Sequence, residues 1–379
     1  MGEKIEKSVF DSLKERINKN VKGTHVAVMS ESVIARPSEW VRTPALDLNR
    51  ILSGSLYRGI PNRHLIGIVG PEHTFKTSFM VLCMADAQKQ GYSPVIIDTE
   101  GGAGEDFCKR WGLDTTKTLY IYSPWVDDVK SALAQIKAEG ANKLIIGIDS
   151  IGGLDRYKSY EDAVKGDPKA DQGLLQKNIR SMLKLLLNIC IEQETIGIVT
   201  GHMYGRPGTG MPMPDQVGGG KAMRMFPTIL INLKRELIKD DEKNITGTDI
   251  TASTLKNRLY PPFQESVISI DYHKGIDPYA GLLDLAMTAG LVRKDGNTYA
   301  TVEGSEVVGV GRDDAQSKLY LFTGLIKDLD EWLKTTGYST VNDNLKQAEE
   351  MLEKDEIPEE VEEEQENNIK KGKRQLIKK

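Results

Sequence analysis

The sequence predicts an α/β fold built around a mostly parallel β-sheet. From residue 65 onward, short runs that are apolar on both faces alternate with stretches of helical character. Strands without a polar face need helices on both sides of the sheet, which is typical of parallel sheets. The 379 residues, 39% of them hydrophobic, suffice for roughly two to three domains and one sizeable core. The predicted strands cover residues 65–69, 95–97, 144–148, 196–199 and 228–233.

The charge of the chain is close to balanced but unevenly spread. Lys and Arg number 50 against 55 Asp and Glu, a net charge of -5. Residues 349–366 alone carry a net -10, and the last thirteen residues carry six bases and no acid, which leaves -1 for residues 1–348. A body this close to neutral is compatible with local basic loops that contact nucleic acid.

Several classes of protein are not expected from this sequence. Cys83, Cys108 and Cys190 lie too far apart for a CxxC motif, so neither a disulfide framework nor a zinc site is predicted. No apolar run reaches the ~18 residues of a membrane span, and the first residues lack the apolar stretch of a signal peptide. Glu6 also stands where N-myristoylation requires Ser or Thr. These observations predict a cytoplasmic protein.

The first 50 residues are predicted to form a segment of their own. An amphipathic helix is indicated by an apolar stripe that repeats every four residues, with Phe10 beside it. A short strand at residues 25–29 and a helix at residues 46–52 follow. The stripe needs an apolar partner, and its members are Ile5, Val9, Leu13 and Ile17.

A phosphate-binding loop is predicted directly after the strand at residues 65–69, leading into a helix that begins near Ser78. Backbone N–H groups and the helix N-terminus would surround an anion, while Lys76 neutralises phosphate charge and Thr77 binds Mg2+. Phe75 departs from the pattern, because glycine is the common residue there. The alternative is an ordinary strand–turn–helix connection. The predicted contacts to the nucleotide are Gly70, Pro71, Glu72, His73, Thr74, Phe75, Lys76, Thr77 and Ser78.

Two later strands end in carboxylates. Asp149 closes the strand at residues 144–148, where open α/β sheets bind ligands, and is predicted to hold Mg2+ together with Thr77. Glu100 follows the strand at residues 95–97 and is the candidate general base that activates a water molecule. A solvated carboxylate before the Gly101-Gly102 turn is the alternative for Glu100.

Two stretches interrupt the alternation of strands and helices. Residues 155–172 are polar, and residues 201–220 are too rich in glycine and proline for a helix or strand, so both are predicted to be functional loops. A smaller unit follows, with a helix near residues 282–286, a hairpin near 295–301 and a helix near 319–333. The chain beyond about residue 341 has the composition of a mobile tail.

In this order, the phosphate loop, Asp98-Thr99-Glu100, the strand to Asp149-Ser150 and the glycine-rich loop resemble the core of the RecA recombinases. Residues 219–226 resemble the end of that family's second DNA-binding loop and the segment after it. Residues 256–258, followed by Pro261-Pro262-Phe263, resemble the paired basic residues that reach the ATP of a neighbouring subunit. Phe75, His202 and residues 40–44, 51–54 and 275–284 are most similar to the phage UvsX-type proteins. The resemblance runs from about residue 40 to 300.

The resemblance implies a DNA-dependent ATPase that uses ATP and Mg2+. His202 falls at the position of the γ-phosphate sensor, and Phe107 falls where the family stacks an aromatic ring on adenine. A core phenylalanine on a helix at residues 106–111 is the alternative for Phe107. Lys256 and Arg258 would act across a subunit interface, so hydrolysis would depend on assembly. The implied catalytic residues are Lys76, Glu100, His202, Lys256 and Arg258.

The two loops are expected to contact DNA, largely without regard to base sequence. Apolar side chains of the second loop, Met203, Met211, Met213 and Val217, could wedge between bases. A disordered, solvated loop is the alternative. The residues expected to contact phosphates are Arg156, Lys158, Lys165 and Lys169 in the first loop, and Arg206, Gly218, Gly219, Gly220 and Lys221 in the second.

We therefore expect a recombinase that forms a helical filament on single-stranded DNA and pairs it with homologous duplex DNA, in recombination, repair and recombination-dependent replication. The N-terminal stripe would dock on an adjacent subunit, or else on its own chain. The resemblance implies a single-strand-binding protein and a mediator as partners, in a bacterial or phage-infected cytoplasm, with no membrane. A ring-forming helicase and a non-catalytic mediator are the alternatives.

The expected organisation has four parts. They are a polymerisation segment (1–50), an ATPase core with two DNA-binding loops (51–275), a small C-terminal α+β subdomain (276–340) and a charged tail (341–379). The acidic part of the tail is either merely solvated or competes with DNA for the basic loops.

Overall fold

The computed structural model describes residues 9–21, 25–166, 172–205 and 212–336. The strands of these residues are β1 (Trp40–Val41), β2 (Ile60–Pro61), β3 (Leu65–Gly70), β4 (Ser93–Asp98), β5 (Leu119–Tyr122), β6 (Leu144–Asp149), β7 (Ile196–Gly205), β8 (Pro212–Val217), β9 (Ile229–Lys239), β10 (Ile245–Asn257), β11 (Glu265–Asp271), β12 (Gly275–Ile276), β13 (Val292–Asp295), β14 (Thr298–Thr301) and β15 (Val307–Val310).

The helices are α1 (Val9–Asn20), α2 (Leu46–Ser53), α3 (Lys76–Lys89), α4 (Glu105–Arg110), α5 (Val126–Glu139), α6 (Tyr157–Val164), α7 (Gln172–Glu192), α8 (Gly220–Met225), α9 (Leu282–Thr288), α10 (Arg312–Lys318) and α11 (Thr323–Thr336). Within the described part of the chain, none of the helices is long and apolar enough to cross a membrane.

A ten-stranded central sheet confirms the predicted α/β fold. Its order is β12-β11-β10-β9-β3-β7-β6-β4-β5, and β8 pairs with β7. The six strands from β9 to β5 are mutually parallel. The pairs that involve β10, β11, β12 and β8 are antiparallel. Because the carboxyl ends of parallel strands meet at one edge, β3, β4, β6 and β7 deliver their last residues to the same place.

The helices cover both faces of this sheet, as the apolar strands require. Leu48 of α2 and Phe79 of α3 pack on one face, and Leu133 of α5 and Leu186 of α7 pack on the other. All four are 1% exposed or less. This two-sided burial makes β3, β4 and β6 a rigid floor for the loops that follow them.

The N-terminal segment is only partly as predicted. Helix α1 forms, and it has no buried residue, while Ile5 lies outside the described residues. The strand predicted at residues 25–29 is wrong: residues 25–28 have no regular structure and Met29–Glu31 form a 3-10 turn. A strand needs a partner, and the described residues of this chain provide none for it.

The two stretches predicted to be loops contain regular structure. Helix α6 lies inside residues 155–172, so the prediction of a continuous loop there is wrong. Strand β7 extends to Gly205, and β8 pairs with it antiparallel, with Met203 opposite Val217. The glycines and prolines of this region interrupt a hairpin rather than exclude one. Residues 167–171 and 206–211 lie outside the described residues.

The C-terminal elements agree with the sequence in kind. Strands β13 and β14 form the predicted hairpin, and β15 adds a third strand. Helix α9 covers the predicted residues 282–286, and α11 follows a 3-10 turn at Leu319–Leu321. The domain boundaries at residues 50, 275 and 340 stay predictions, and the tail beyond residue 336 is outside the described residues.

Candidate nucleotide-binding site

The phosphate-binding loop predicted from the sequence connects β3 to α3, which begins at Lys76 rather than near Ser78. Gly70 must be a glycine, because a Cβ there would lie 2.6 Å from both the Leu233 carbonyl oxygen and Thr74 Oγ1. His73 and Phe75 both adopt the left-handed backbone conformation, with φ of 59° and 75°. The loop therefore folds tightly over the N-terminus of α3, where N–H groups can donate hydrogen bonds to an anion.

Lys76 and Thr77 point into a cavity of about 960 Å³ above the sheet edge. The Lys76 ammonium donates to the Pro71 carbonyl oxygen at 2.5 Å, and Thr77 Oγ1 donates to Asp149 Oδ2 at 2.6 Å. The remaining loop residues predicted to contact the nucleotide and lining the same cavity are Glu72, His73, Thr74, Phe75 and Ser78. The fold thus brings the predicted phosphate and metal ligands together in one cavity.

Strand register explains why Asp149 reaches Thr77. Asp149 ends β6, which lies between β7 and β4, and it stands directly opposite Asp98 at the end of β4. Its second oxygen, Oδ1, accepts a hydrogen bond from Thr200 Oγ1 of β7. Thr200 was not predicted as a site residue, because its only signal in the sequence is a hydroxyl at the end of an apolar strand.

The site desolvates two opposite charges. Burial lowers the pKa of Lys76, against the pull of the Asp149, Glu100 and Glu72 carboxylates. Burial likewise raises the pKa of Asp149, against hydrogen bonds from Thr200 and Thr77. A buried ammonium is stabilised by an anion and a buried carboxylate by a cation.

These residues fit a nucleotide phosphate and Mg2+. A carboxylate and a hydroxyl supply the oxygen ligands that Mg2+ prefers, and phosphate oxygens and water complete its shell in such sites. Among the residues that the structure describes, no group of three or more His, Cys, Asp or Glu side chains could hold a metal. A metal at Thr77 and Asp149 would take its remaining ligands from phosphate oxygens and water.

Glu100 lies at the same edge. It follows β4, which neighbours β6 on the side away from β3 and the phosphate-binding loop. Its Oε1 accepts a hydrogen bond from Ser150 Oγ and lies 3.8 Å from His202 Nε2. His202 is placed by register, because it stands opposite Gly70 in the β3–β7 pair. The geometry gathers Glu100, Ser150 and His202 around one point of the cavity, where a reacting atom could lie between a base and a hydrogen-bond donor.

Asp98 holds the Glu100 turn, a role that no sequence pattern indicated. Fully buried, Asp98 accepts hydrogen bonds from the backbone N–H groups of four successive residues, 100 to 103. Tyr120 also donates to it at 3.0 Å. A carboxylate that satisfies four N–H groups fixes the turn, so Asp98 positions Glu100 without facing the cavity.

The far end of the cavity is aromatic. Phe107 of α4, the residue predicted to stack on adenine, lines it together with Phe75, Trp111 and Tyr272. Arg235 of β9 closes this end by donating to the Tyr272 hydroxyl at 3.0 Å and to the His73 carbonyl at 3.4 Å. Trp111, Tyr272 and Arg235 were not identified from the sequence. Arg235 and Tyr272 come together through the antiparallel pairing of β9, β10 and β11, and Trp111 reaches the cavity from the end of α4.

The residues predicted to bind DNA are only partly described. In the first loop, Arg156 precedes α6, and Lys158 and Lys165 are exposed, whereas Lys169 lies outside the described residues. In the second loop, Arg206 and Met211 lie outside them, and the Gly218 N–H donates to the His202 carbonyl at 2.7 Å. Gly219 and Gly220 have left-handed φ values of 84° and 64° and start α8, from which Lys221 is exposed.

Lys256 and Arg258 do not line the cavity of their own chain. A register shift in β10 between Thr254 and Lys256 turns the Lys256 side chain toward the end of α8. There its ammonium donates to the carbonyl oxygens of Arg224, Met225 and Pro227, at 2.9, 3.0 and 2.6 Å. Burial, with a smaller effect from Arg258, lowers the pKa of Lys256 to about 8.

Asn257, between these two cations, anchors the segment. Its amide donates to the carbonyl oxygens of Ile51 and Leu52 at the end of α2, at 3.2 and 3.0 Å. Its Oδ1 accepts from the N–H groups of Leu259 and Tyr260. The exposed Arg258 therefore projects from a fixed turn.

Comparison with known proteins identifies related sequences over most of the chain. The family model for the RecA N-terminal domain matches residues 9–277. Protein RecA of Streptomyces rimosus is 27% identical over 73% of this chain and 72% of its own length. Protein RecA of Thermotoga maritima is 28% identical over 83% and 87%, and that of Kineococcus radiotolerans is 27% identical over 82% and 86%.

Proposed function

This chain belongs to the RecA family, and from that premise we propose that it is a DNA-dependent ATPase that assembles on single-stranded DNA and catalyses homologous pairing and strand exchange. The observation that carries the proposal is the convergence of Lys76, Thr77, Glu100, Asp149 and His202 on one cavity at the carboxyl edge of the sheet. Residues from three strands, β4, β6 and β7, and from the N-terminus of α3 meet there, as phosphoryl transfer requires.

Each residue at the cavity has a distinct proposed role. ATP and Mg2+, when bound, supply the phosphoryl group and the divalent charge that offsets its negative charge in the transition state. Lys76 and the N–H groups at the start of α3 bind phosphate oxygens, and Thr77 and Asp149 hold the metal. Glu100 Oε1 orients the attacking water and accepts its proton, and Phe107 packs against the base.

His202 connects this chemistry to the second loop. Its ring lies beside Glu100, and its backbone carbonyl accepts from Gly218 at the other end of the β7–β8 hairpin. A side chain that donates to the γ-phosphate would thus move one end of a hairpin predicted to contact DNA. This arrangement supports a coupling between nucleotide state and DNA affinity.

DNA binding is proposed for both loops. Lys158 and Lys165 of the first loop and Lys221 of the second are exposed bases. The N–H groups of Gly219 and Gly220 offer further donors to phosphates, and that of Gly218 would have to leave the His202 carbonyl to become one. Contacts of this kind do not read bases, so pairing specificity would come from complementarity between DNA strands.

Self-association is supported by two exposed apolar surfaces. Helix α1 exposes Val9, Phe10 and Leu13 at 74%, 65% and 47%. Strand β5 is an edge of the central sheet, and it exposes Leu119, Tyr120 and Tyr122 at 54%, 48% and 60%. An uncovered edge strand readily accepts another chain. We propose that repeated head-to-tail contact between copies builds a helical filament.

Assembly would also complete the ATPase site. Lys256 and Arg258 would reach the nucleotide of the adjacent copy, which requires the Lys256 ammonium to leave the three carbonyls that hold it in this structure. Because those carbonyls end α8, directly after the second loop, the same movement would release that helix end.

The finer assignments rest on sequence resemblance. We propose a UvsX-type affiliation, a cytoplasmic location in a bacterium or phage-infected host, and partnership with a single-strand-binding protein and a mediator. The four-part organisation with boundaries at residues 50, 275 and 340 belongs to the same set of proposals.

The experiment that tests this function is ATP hydrolysis with and without single-stranded DNA, in the presence and absence of Mg2+. We expect DNA to stimulate turnover, Mg2+ to be required, and Lys76→Ala to abolish hydrolysis. Lys89→Ala is the matched control, because Lys89 lies at the opposite end of the same helix with its side chain 67% exposed. DNA binding without turnover would favour the mediator alternative, and stimulated turnover with unwinding but no pairing would favour the helicase.

A further inference from the structure

The phosphate loop of this chain carries an unusual side chain in an unusual conformation. Phe75 is the residue before α3 and adopts φ 75° and ψ 13°, the left-handed region that glycine enters freely and bulky residues rarely do. The Phe75 side chain makes no capping hydrogen bond to the helix. Something outside the loop must therefore stabilise this conformation.

Trp111 makes the contact that stabilises Phe75 in this conformation. The rings of Phe75 and Trp111 meet edge to face, with centroids 4.9 Å apart and planes at 84°. This is the preferred geometry for an aromatic pair. Both side chains are partly buried against the core cluster on the α3 side of the sheet.

Trp111 is itself well fixed. It follows α4, and its N–H donates to the Cys108 carbonyl at 3.1 Å. Cys108 and Leu113 on either side are each 2% exposed. The indole is thus attached to the core rather than to the loop that it supports.

The supported residue lies next to the phosphate ligands. Phe75 immediately precedes Lys76 and Thr77, and its carbonyl accepts the Phe79 N–H at 2.8 Å in the first turn of α3. If Phe75 left the left-handed region, the peptide groups on both of its sides would rotate. The direction of the loop's N–H groups therefore depends on the Phe75–Trp111 contact.

We propose that Trp111 is a positioning residue for the nucleotide phosphates: it holds Phe75 in the left-handed conformation and so keeps the phosphate loop in its binding shape. The inference rests on the proposed function only in taking the ligand of this loop to be a nucleotide. It assigns to Trp111 an action through Phe75 and no contact with phosphate.

A double-mutant cycle tests this assignment. Trp111→Leu keeps an apolar side chain but removes the aromatic edge contact, and Phe75→Gly removes the need for it, because glycine adopts this conformation without a clash. We expect Trp111→Leu to raise the Kd for Mg-ADP and the KM for ATP by roughly 2- to 13-fold, with kcat unchanged. In the Phe75→Gly background, Trp111→Leu should have no further effect.

The binding measurement is a titration of each folded variant with Mg-ADP in the absence of DNA, accompanied by thermal unfolding without nucleotide. Trp125→Leu is the matched control, because Trp125 packs against Tyr157 and Tyr160 away from this cavity, and it should leave the Kd unchanged. An equal loss of affinity from Trp111→Leu in both backgrounds would overturn the proposal and indicate direct contact with the nucleotide. A lower unfolding midpoint with an unchanged Kd would overturn it as well, as a purely structural role.

These outcomes separate the inference from the proposed function. If the wild-type chain binds Mg-ADP but shows no DNA-stimulated hydrolysis, the proposed function fails while the cycle still decides the role of Trp111. If hydrolysis is stimulated and the cycle shows no coupling, only the inference fails. A wild-type chain that binds no nucleotide contradicts both.

Discussion

A single added methyl group at Gly153 should impair catalysis without affecting nucleotide binding. Gly153 lies in the 3-10 turn that follows β6, facing the Glu100 turn. In Gly153→Ala, the new Cβ would lie 2.6 Å from Thr99 Oγ1 and 2.7 Å from Glu100 Cγ. The backbone φ of Gly153 is not left-handed, so the substitution acts through contact alone.

The size of the effect follows from which neighbour can move. Thr99 Oγ1 donates to the Ser150 carbonyl at 2.7 Å and accepts its N–H at 2.9 Å, so it is held from two sides. The Gly153 turn must therefore move away from Thr99, and because apolar atoms pack at about 3.5 Å or more, Glu100 and this turn must separate by on the order of 0.8 Å. A misplacement of about 1 Å costs roughly 10²-fold in rate, and overpacking costs about 1–3 kcal/mol in stability.

The assay is steady-state ATP hydrolysis at saturating single-stranded DNA. We expect kcat to fall by roughly 10²-fold while KM changes little, because Lys76 and Thr77 are not displaced. Gly104→Ala is the matched control, since a Cβ there would meet nothing within 4 Å. Thermal unfolding of both variants confirms that the compared proteins are folded.

One result would refute the reasoning. A folded Gly153→Ala variant with kcat within roughly threefold of wild type would mean that the position of Glu100 does not limit hydrolysis. The same conclusion would follow if Glu100→Gln retained wild-type kcat. A general base must then be sought elsewhere in the cavity.

Three further predictions follow from other parts of the structure. Asp149→Asn should raise the unfolding midpoint of the ligand-free chain, because burial raises the pKa of Asp149 and so disfavours its charged form in the folded state. The same substitution should lower Mg2+-dependent turnover by about 10²-fold or more, and unchanged turnover would contradict the metal role. The pKa of Lys256 in the folded chain is about 8, below the ordinary 10.5, so between these pH values the unfolded chain binds the proton more strongly. The unfolding free energy of wild type should therefore rise with pH over this range relative to that of Lys256→Met, and parallel pH profiles of the two proteins would contradict this. The pair Phe10→Asp and Leu13→Asp on the exposed face of α1 should abolish sedimentation of large complexes on single-stranded DNA, whereas Lys19→Asp should not; assembly by the doubly charged variant would exclude α1 from the interface.

Much of the site could be predicted from the sequence because parallel sheets impose one simple rule. Apolar runs mark buried strands, and residues just after such runs collect at one edge. Lys76 and Glu100 follow β3 and β4, Asp149 is the last residue of β6, and His202 lies in β7 beyond its apolar run, so their proximity depends mainly on strand order. Their placement in one cavity needed no knowledge of side-chain packing.

Other features depend on contacts that no local pattern records. The support of Phe75 by Trp111 joins residues 36 positions apart through a ring geometry, and Asp98 acts by capping a turn whose shape the sequence does not state. The β7–β8 hairpin tolerates prolines and glycines because it lies at the rim of the sheet, where pairing is incomplete. The strand predicted at residues 25–29 fails for the opposite reason, since β-propensity without a partner does not make a strand.

Strand exchange between a single strand and homologous duplex DNA, with heterologous duplex as the comparison, tests the central claim most directly. We predict joint-molecule formation that requires ATP and Mg2+, occurs only with homologous duplex and is lost in Lys76→Ala. Exchange that is equally efficient with heterologous duplex, or its absence despite DNA-stimulated ATP hydrolysis, would contradict the assignment as a recombinase.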